Sequence, residues 1–245
     1  MIRFILVVIV VAGFLILSIP ILFLEWIIGK WNPKFRDITS LRLVQGVFKL
    51  VLWITGAKVT VMGHENVPED EAVLYVGNHQ SFFDILLTYS RCPGLTGYVA
   101  KDGLEKVPLL SNWMKRLYCL FLNRHDIKQG LKIILKGIEQ IKNGISMCIF
   151  PEGTRNKDPQ APVAPFKEGS LKMAEKTGCP IIPMAITNSA EIFENHFPKI
   201  RPCHVILEYG KPVYPKELSK EDRKFLGAYS RNLIQEMLDK HEQLL

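Results

Sequence analysis

Residues 72–90, AVLYVGNHQSFFDILLTYS, join a short apolar run to a polar turn and then to a run with helical periodicity. The apolar run predicts a strand over Ala72–Val76, and the last part predicts a helix over Phe82–Ser90. Strand-like and helix-like runs alternate in the same way from residue 58 onward. This alternation is typical of an α/β fold, and we expect a mixed, mostly parallel sheet flanked by helices.

The other elements follow from the same patterns. The remaining predicted strands are Lys58–Met62, Tyr98–Ala100, Leu120–Leu122, Ile145–Phe150, Ile181–Ile186 and His204–Tyr209. The remaining predicted helices are Pro108–Leu117, Ile127–Lys142, Ser170–Thr177 and Glu221–Leu244, and Ser219 with Asp222 resembles a capping box for the last. In the helix from Ile127, we expect the core-facing residues to be Leu131, Ile134, Leu135 and Ile138. We expect the lysines of its solvated face to be Lys128, Lys132 and Lys136.

Composition limits the class of protein. The chain has 245 residues, of which 48% are hydrophobic and 22% charged, so it can bury a full-sized core and is not a disordered protein. Its net charge of +7 favours polyanions, phosphorylated substrates or anionic lipid as ligands. Five widely spaced cysteines match neither a zinc ribbon nor a redox pair, which predicts reduced thiols in the cytosol. Walker and Rossmann glycine patterns are absent from the sequence, which argues against a nucleotide-binding enzyme.

The N-terminal region predicts a membrane anchor of two helices over residues 1–56, before a catalytic domain over residues 57–245. Phe4–Leu24 contains 21 residues without a charge, which as a helix would reach about 31 Å, the thickness of a bilayer core. Pro20 should kink or stop that helix. A cleaved signal peptide is the alternative, although no small-residue cleavage site follows the apolar run.

A polar hinge over Lys30–Ser40 separates this segment from a second apolar stretch, Leu41–Gly56. The second stretch is amphipathic and too short to span, with Arg42, Gln45 and Lys49 on its polar face. The alternative is that it is a core helix of the soluble domain.

Basic residues in this region predict where the protein resides. Residues 30–58 contain six basic side chains and one acid, which predicts contact with an anionic cytoplasmic surface. We therefore expect the protein at the cell membrane, with its catalytic domain on the cytoplasmic side. The first segment either spans the bilayer or forms a hairpin with the second within one leaflet, and the apolar face of the second favours the hairpin.

The turn after the first quoted strand carries a candidate catalytic pair. His79 and Asp84 are five residues apart across a strand-to-helix turn, which can fold the carboxylate back onto the imidazole. His79 could then act as general base while Asp84 fixes its tautomer. The alternative is a helix cap made by Ser81 and Asp84, with His79 as a surface residue.

A second polar cluster follows the strand that ends near Phe150. Because carboxyl ends of parallel strands lie at one edge of a sheet, this cluster and the first should be neighbours. Its candidate ligand-binding residues are Glu152, Gly153, Thr154 and Arg155. Arg155 offers a planar fork for a phosphate, whereas a plain Glu152–Arg155 ion pair is the alternative. Lys101 and Arg124 follow two other predicted strands and are further candidate binding residues.

Three motifs together resemble the membrane-associated glycerolipid acyltransferases, and most of all their PlsC-type 1-acylglycerol-3-phosphate O-acyltransferases. The motifs are Asn78–Asp84, Phe150–Arg155 and Ile181–Ile186, and the similarity runs from about Val61 to Pro212. Residues 63–68 and 166–170 also resemble family stretches. The family's motif of a strand ending in a basic residue matches residues 121–124 only loosely, and Asn156 stands where serine is usual.

The resemblance implies a function and a set of roles. It implies that His79 is the base and Asp84 its partner. It also implies that the acyl-acceptor site is formed by Arg124, Glu152, Gly153 and Arg155. It implies transfer of an acyl chain from a thioester, either acyl-CoA or acyl carrier protein, to the position-2 hydroxyl of lysophosphatidate, giving phosphatidic acid for phospholipid biosynthesis. We expect no metal, no other cofactor and no nucleic acid partner.

Three alternatives remain open from the sequence. The acceptor could be glycerol-3-phosphate or a different lysophospholipid. The chain could be a non-catalytic binder of membrane surfaces, although basic binding gives no reason for His79 and Asp84. Ser81 could act as a covalent nucleophile, although it lacks the flanking glycines of a nucleophile elbow.

Overall fold

A computed structural model describes residues 1–158, 161–241 and 243–244. Its strands are β1 (Lys58–Met62), β2 (Leu74–Gly77), β3 (Thr96–Lys101), β4 (Leu120–Leu122), β5 (Ser146–Ile149), β6 (Ile181–Thr187) and β7 (His204–Tyr209). Its helices are α1 (Ile2–Leu17), α2 (Ile19–Ile28), α3 (Pro33–Thr55), α4 (Phe83–Tyr89), α5 (Leu110–Arg116), α6 (Ile127–Lys142), α7 (Glu168–Thr177), α8 (Lys220–Lys224) and α9 (Leu226–His241). From β1 to β7, the ends of these elements differ from the sequence-based prediction by two residues at most.

The strands form one sheet in the order β1-β7-β6-β2-β5-β3-β4. The five strands from β6 to β4 in this order are parallel to one another, whereas β7 runs antiparallel to β6 and β1 runs parallel to β7. The predicted mixed, mostly parallel sheet is therefore confirmed. Because β2 lies between β6 and β5, the carboxyl ends of these three strands are adjacent at one edge.

Helices cover both faces of this sheet. Successive residues of a strand point to opposite faces, so Tyr75 belongs to one hydrophobic cluster and Val76 to the other. Helices α1 to α5 pack on the Tyr75 side. Helices α6, α7 and α9 pack on the Val76 side. The chain thus forms three layers, with the N-terminal helices all on one face.

The first apolar segment is two helices rather than one. Helix α1 ends at Leu17 and α2 begins at Ile19, with a bend of 45° between them. Pro20 has no N–H to continue the hydrogen bonding of α1, and it lies in the first turn of α2, where the missing N–H is tolerated. The predicted kink is therefore confirmed. By length and composition, α3 alone and the bent pair α1–α2 are each long and apolar enough to cross a membrane.

The polar hinge before α3 is shorter than predicted. Asn32 caps α3 by accepting a hydrogen bond from the N–H of Phe35 at 3.0 Å, so residues 33–40 are helical rather than hinge. The helix has 23 residues instead of the expected short stretch. A side-chain cap followed by Pro33 at a permitted first-turn position explains the early start.

The buried face of α3 also differs from the prediction. Gln45, expected on the polar face, is buried and donates to the carbonyls of Tyr89 and Cys92 at 3.0 and 2.8 Å. The side chains of α3 that enter the core are Leu41, Val44, Val51 and Leu52. This helix is therefore part of the core layer, the alternative left open above, while the functional division at residue 56 stays a prediction.

Helix α6 has the predicted bounds and an exposed row of lysines, but the prediction was wrong for two of its four expected core residues. Leu131 and Leu135 are exposed, and the helix turns Ile133, Gly137 and Ile141 inward instead. Gly137 permits this close approach, since a Cβ there would lie 2.5 Å from the Sδ atom of Met173 on α7. The apolar residues of α6 cover more of its circumference than the sheet can bury.

The final helix is interrupted. The capping by Ser219 is confirmed, because its Oγ accepts the N–H of Asp222 at 3.0 Å. Helix α8 ends at Lys224, and Glu168 accepts hydrogen bonds from the N–H groups of Gly227 and Ala228 at the start of α9. The predicted helix to Leu244 ends at His241 instead, and residue 242 lies outside the described ranges.

Candidate active site

The turn after β2 is held by the neighbouring strand β6. The buried amide of Asn78 donates to the carbonyl of Ile186 at 2.9 Å, and its oxygen accepts the N–H of Ile186 at 2.8 Å. A side-chain amide can make both bonds at once, as a backbone group would. Asn78 thereby continues the pairing of the sheet by one residue and sets the starting point of the turn.

His79 and Asp84 meet as the sequence predicted. The Nδ1 atom of His79 lies 2.8 Å from Oδ2 of Asp84, whose side chain is fully buried. The same oxygen accepts the N–H groups of Gln80 and Ser81, each at 2.8 Å. These donors require an acceptor, so Asp84 is suited to hold the proton of the imidazole on Nδ1 and to leave Nε2 as the basic nitrogen.

The structure combines this pairing with the alternative cap. Asp84 lies in the first turn of α4, and its carboxylate accepts the N–H group of Ser81, two residues before the helix begins, as the acid of a capping box accepts the N–H group of the cap residue. The hydroxyl of Ser81 accepts the N–H of Phe83 at 3.0 Å. Capping and orientation of His79 are therefore properties of the same carboxylate, and its geometry permits both roles.

Residues after β5 clamp the backbone of His79. Glu152 Oε1 accepts the N–H of His79 at 2.7 Å, and the N–H of Asn156 donates to the carbonyl of His79 at 2.7 Å. Phe150 stacks on the imidazole ring, with 4.5 Å between ring centroids. The two polar clusters are thus neighbours, as predicted from the rule that carboxyl ends of parallel strands lie at one edge of a sheet.

Glu152 is buried and links two loops. Its second oxygen accepts the N–H of Ala164 at 3.2 Å. Burial raises the pKa of the Glu152 carboxyl above its ordinary value, and the hydrogen bonds from the backbone of His79 and Ala164 oppose that rise. Because Arg155 pairs elsewhere, the plain Glu152–Arg155 ion pair considered above is not the arrangement observed.

Gly153 forms a tight turn between Glu152 and Arg155. Its φ is +76°, in the left-handed region, and a Cβ there would lie 3.0 Å from Nζ of Lys167. After this turn, Thr154 is exposed to solvent and Arg155 contacts Phe82 of the first cluster. A lysine beside Gly153 adds a cation that sequence reasoning did not assign.

Arg155 lies against Phe82, in the turn that carries His79 and Asp84. Its guanidinium lies 3.7 Å from the ring centroid of Phe82, and its Nη1 donates to Oε1 of Glu194 at 3.1 Å. Glu194 also accepts the hydroxyl of Ser81 at 2.6 Å and the N–H of Phe82 at 2.7 Å. The Ser81 hydroxyl is therefore bonded to Glu194, which weakens the alternative of Ser81 as a nucleophile activated by His79.

Lys101 and Arg124 are exposed at the same edge of the sheet but are not in the hydrogen-bonded cluster. Lys101 ends β3 and Arg124 follows β4, which are two and three strands away from β2. At about 4.8 Å per strand, these backbones lie roughly 10 and 14 Å from that of β2. Long side chains on this edge can reach part of that distance.

Sequence reasoning missed Glu194 and the role of Asn78. Glu194 lies in a 3-10 turn, Glu194–His196, that has neither helical nor strand periodicity. The sequence did contain a usable signal. Residues 188–194 follow the carboxyl end of β6, and residues in that position belong to the same sheet edge as those after β2 and β5.

Comparison with known proteins agrees with this architecture. The family model described as Acyltransferase matches residues 58–187. The chain is 32% identical over 203 residues to a 1-acyl-sn-glycerol-3-phosphate acyltransferase of Borreliella burgdorferi, covering 82% of this chain and 79% of that protein. It is 29% identical over 238 residues to the protein of the same name from Saccharomyces cerevisiae, covering 97% and 76%.

A solved structure is similar across nearly the whole chain. The crystal structure of the 1-acyl-sn-glycerophosphate acyltransferase PlsC from Thermotoga maritima superposes with a TM-score of 0.84 at 26% identity, covering 98% of this chain and 95% of that one. The similarity includes the N-terminal helices as well as the sheet. The matched motifs, the shared fold and the family model together establish that this chain belongs to the acyltransferase family.

Proposed function

We propose that this protein transfers a fatty acyl chain from a thioester to the position-2 hydroxyl of 1-acyl-sn-glycerol-3-phosphate, producing phosphatidic acid. The observation that carries the proposal is the pair of His79 and Asp84, joined at 2.8 Å beside the cation of Arg155. The names of the relatives from Borreliella burgdorferi and Saccharomyces cerevisiae support the same acceptor.

His79 performs the proton transfers. Its Nε2 takes the proton of the substrate hydroxyl as that oxygen attacks the carbonyl carbon of the thioester. The tetrahedral intermediate then collapses, the carbon–sulfur bond breaks, and the imidazolium returns the proton to the departing thiolate. Asp84 stabilises the imidazolium between these two steps. No proton is gained or lost overall, and the products are an ester and a thiol.

Arg155 is the principal ligand of the acceptor's phosphate. Its guanidinium makes one hydrogen bond to Glu194 and stacks on Phe82, which leaves other N–H groups for phosphate oxygens. Lys101 and Arg124 add positive charge along the same edge. Gly153 and Thr154 lie in the turn that presents Arg155, and Glu152 positions His79 through its backbone N–H.

The N-terminal helices hold the protein at the membrane in one leaflet. Phe4 of α1 stacks on Phe193 at 5.5 Å between centroids, and Ser18 at the other end of α1 accepts the indole N–H of Trp113 at 2.8 Å. Both ends of α1 therefore contact the catalytic domain. This supports the hairpin arrangement at the cytoplasmic side of the cell membrane, since a spanning α1 would have to give up these contacts.

An acylation assay tests the proposal. Purified protein in detergent is given labelled palmitoyl thioester, as the CoA or the carrier-protein form, with lysophosphatidate, glycerol-3-phosphate or lysophosphatidylcholine as acceptor. We expect labelled phosphatidic acid from lysophosphatidate, at least tenfold faster than product from the other two acceptors, and none from the His79→Ala variant. Faster acylation of glycerol-3-phosphate or lysophosphatidylcholine would overturn the proposed acceptor. Activity of His79→Ala within tenfold of wild type would overturn the proposed base.

A further inference from the structure

Helix α6 carries two exposed rows of side chains on its outer surface, here called the α6 stripe. The first row is apolar, with relative exposures of 90%, 59% and 57% for Ile127, Leu131 and Leu135. The second row is cationic and also exposed: Lys128, Lys132 and Lys136. Spacing of four residues keeps each row on one side of the helix, and the two rows are adjacent.

Both rows are open to solvent in the described part of the chain. Among the residues that the structure describes, none of the three lysines forms an ion pair, and no other side chain covers the apolar row. Burying aliphatic side chains of this size is favourable, so a partner that covered the apolar row would gain affinity from it. The neighbouring lysines require that such a partner be acidic.

The position of α6 argues against a bilayer as that partner. Helices α1 to α3 pack on the Tyr75 side of the sheet and α6 packs on the Val76 side. The outer surface of α6 therefore points away from the apolar N-terminal helices, and a bilayer that receives those helices does not lie along α6. A soluble partner meets no such restriction.

The α6 stripe begins close to the edge of the sheet that holds the site. Ile127 follows the turn after β4, and β4 is three strands from β2, or about 14 Å. A partner on the stripe could pass a thioester on a flexible arm across this edge to His79. The alternative donor, a free CoA thioester, is a small molecule and needs no surface for docking a second protein.

We infer that the α6 stripe docks an acidic carrier protein that delivers the acyl chain as its thioester. The inference rests on the proposed function, since it names the donor for that reaction. Apolar contact supplies affinity, while the lysines orient the carrier and accelerate its association.

The test compares two donors on the full-length protein in detergent. The variant K128E/K132E/K136E reverses the charge of the stripe, and K211E/K220E/K224E makes the same charge change on exposed lysines elsewhere. We expect the first variant to raise the KM for palmitoyl-carrier protein at least tenfold and the KM for palmitoyl-CoA less than twofold. The control variant should change neither. L131S/L135S should weaken use of the carrier at least threefold while keeping the lysines.

Binding of fluorescently labelled acyl carrier protein, followed by anisotropy, gives a readout that needs no turnover. Loss of binding in the first variant alone would support docking even if lysophosphatidate proved to be the wrong acceptor. Unchanged binding, or equal rises in both donor KM values, would overturn the inference. Two other results for the charge-reversal variant would also overturn it. Loss of flotation with phosphatidylglycerol vesicles would indicate that the stripe contacts a bilayer. Dissociation of a dimer that the wild-type protein forms would indicate that the stripe contacts a second copy of the chain.

Discussion

Glu194 holds the guanidinium of Arg155 at 3.1 Å, although the two residues come from different loops at the edge of the sheet. The same carboxylate accepts hydrogen bonds from Ser81 and Phe82, so it joins the loop after β6 to the turn after β2 and the loop after β5. One acidic side chain thereby connects the ends of three adjacent strands.

Replacing Glu194 by glutamine should weaken acceptor binding. The variant keeps the shape and one acceptor oxygen but removes the charge that fixes Arg155. A hydrogen bond to a charged group is worth about 1.5 kcal/mol or more, so we expect the KM for lysophosphatidate to rise about tenfold with kcat within threefold. Glu191→Gln is the matched control, because Glu191 bonds to Asn195 and His196 of the same segment instead. Similar KM changes in the two variants would show a general disturbance of the loop.

Asp84→Asn should separate orientation of His79 from capping of α4. An amide at this position no longer stabilises the imidazolium, so kcat should fall by up to ~10⁴-fold, as for the carboxylate of a catalytic triad. The measurements are kcat between pH 5 and 9 and the Tm of the same preparation. A lower Tm with kcat within tenfold of wild type would mean that Asp84 only caps the helix.

Arg155→Lys should not restore what Arg155→Ala removes. The stacked, forked guanidinium can bond two phosphate oxygens, whereas an ammonium is a point charge. We expect both variants to raise the KM for lysophosphatidate at least tenfold and the KM for the acyl donor less than twofold. Arg124→Ala should act in the same direction but less strongly, because Arg124 is exposed at the end of β4. As a control, Arg223→Ala on α8 should change neither KM, and equal effects on both substrates would place Arg155 outside the phosphate site.

Two truncations should behave differently. Removing residues 1–56 takes four buried side chains of α3 from the core, and at about 1.5–3 kcal/mol each this approaches the whole stability of a domain. We expect that protein to aggregate. Removing residues 1–31 keeps α3 and should leave a folded domain with weaker membrane sedimentation. Circular dichroism reports folding, size-exclusion chromatography reports aggregation, and sedimentation with membranes reports membrane association. A folded monomer lacking residues 1–56 would contradict the conclusion that α3 is part of the core.

A tag at residue 1 tests the position of the N-terminus. Because Phe4 packs on Phe193 of the catalytic domain, the N-terminus and that domain should lie on the same side of the membrane. A tag that carries a cysteine should therefore react with a membrane-impermeant thiol reagent only after the cells are permeabilised. Labelling of intact cells from outside would show that α1 spans the bilayer and that this contact is absent in the cell.

Local patterns in the sequence determined the α/β class, most element ends and the pairing of His79 with Asp84. Strand alternation and helical periodicity act over a few residues, and a spacing of five across one turn is also a local constraint. The closeness of the cluster after β5 to the cluster after β2 followed from a general property of parallel sheets, whose carboxyl strand ends lie at one edge. Pro20 determined the bend between α1 and α2 because a missing N–H has a local effect.

Only the tertiary structure decided which groups partner the site residues. Glu194 is 39 residues from Arg155 and 113 from Ser81, and Asn78 is 108 from Ile186, so no periodicity connects them. The same is true of Gln45, whose polar side chain is buried because two carbonyls 44 and 47 residues away accept its hydrogens. On α6, the sheet and α7 bury only one side of a broadly apolar helix, which leaves Leu131 and Leu135 exposed. Periodicity identifies apolar residues, whereas the packing of distant elements decides which of them are covered.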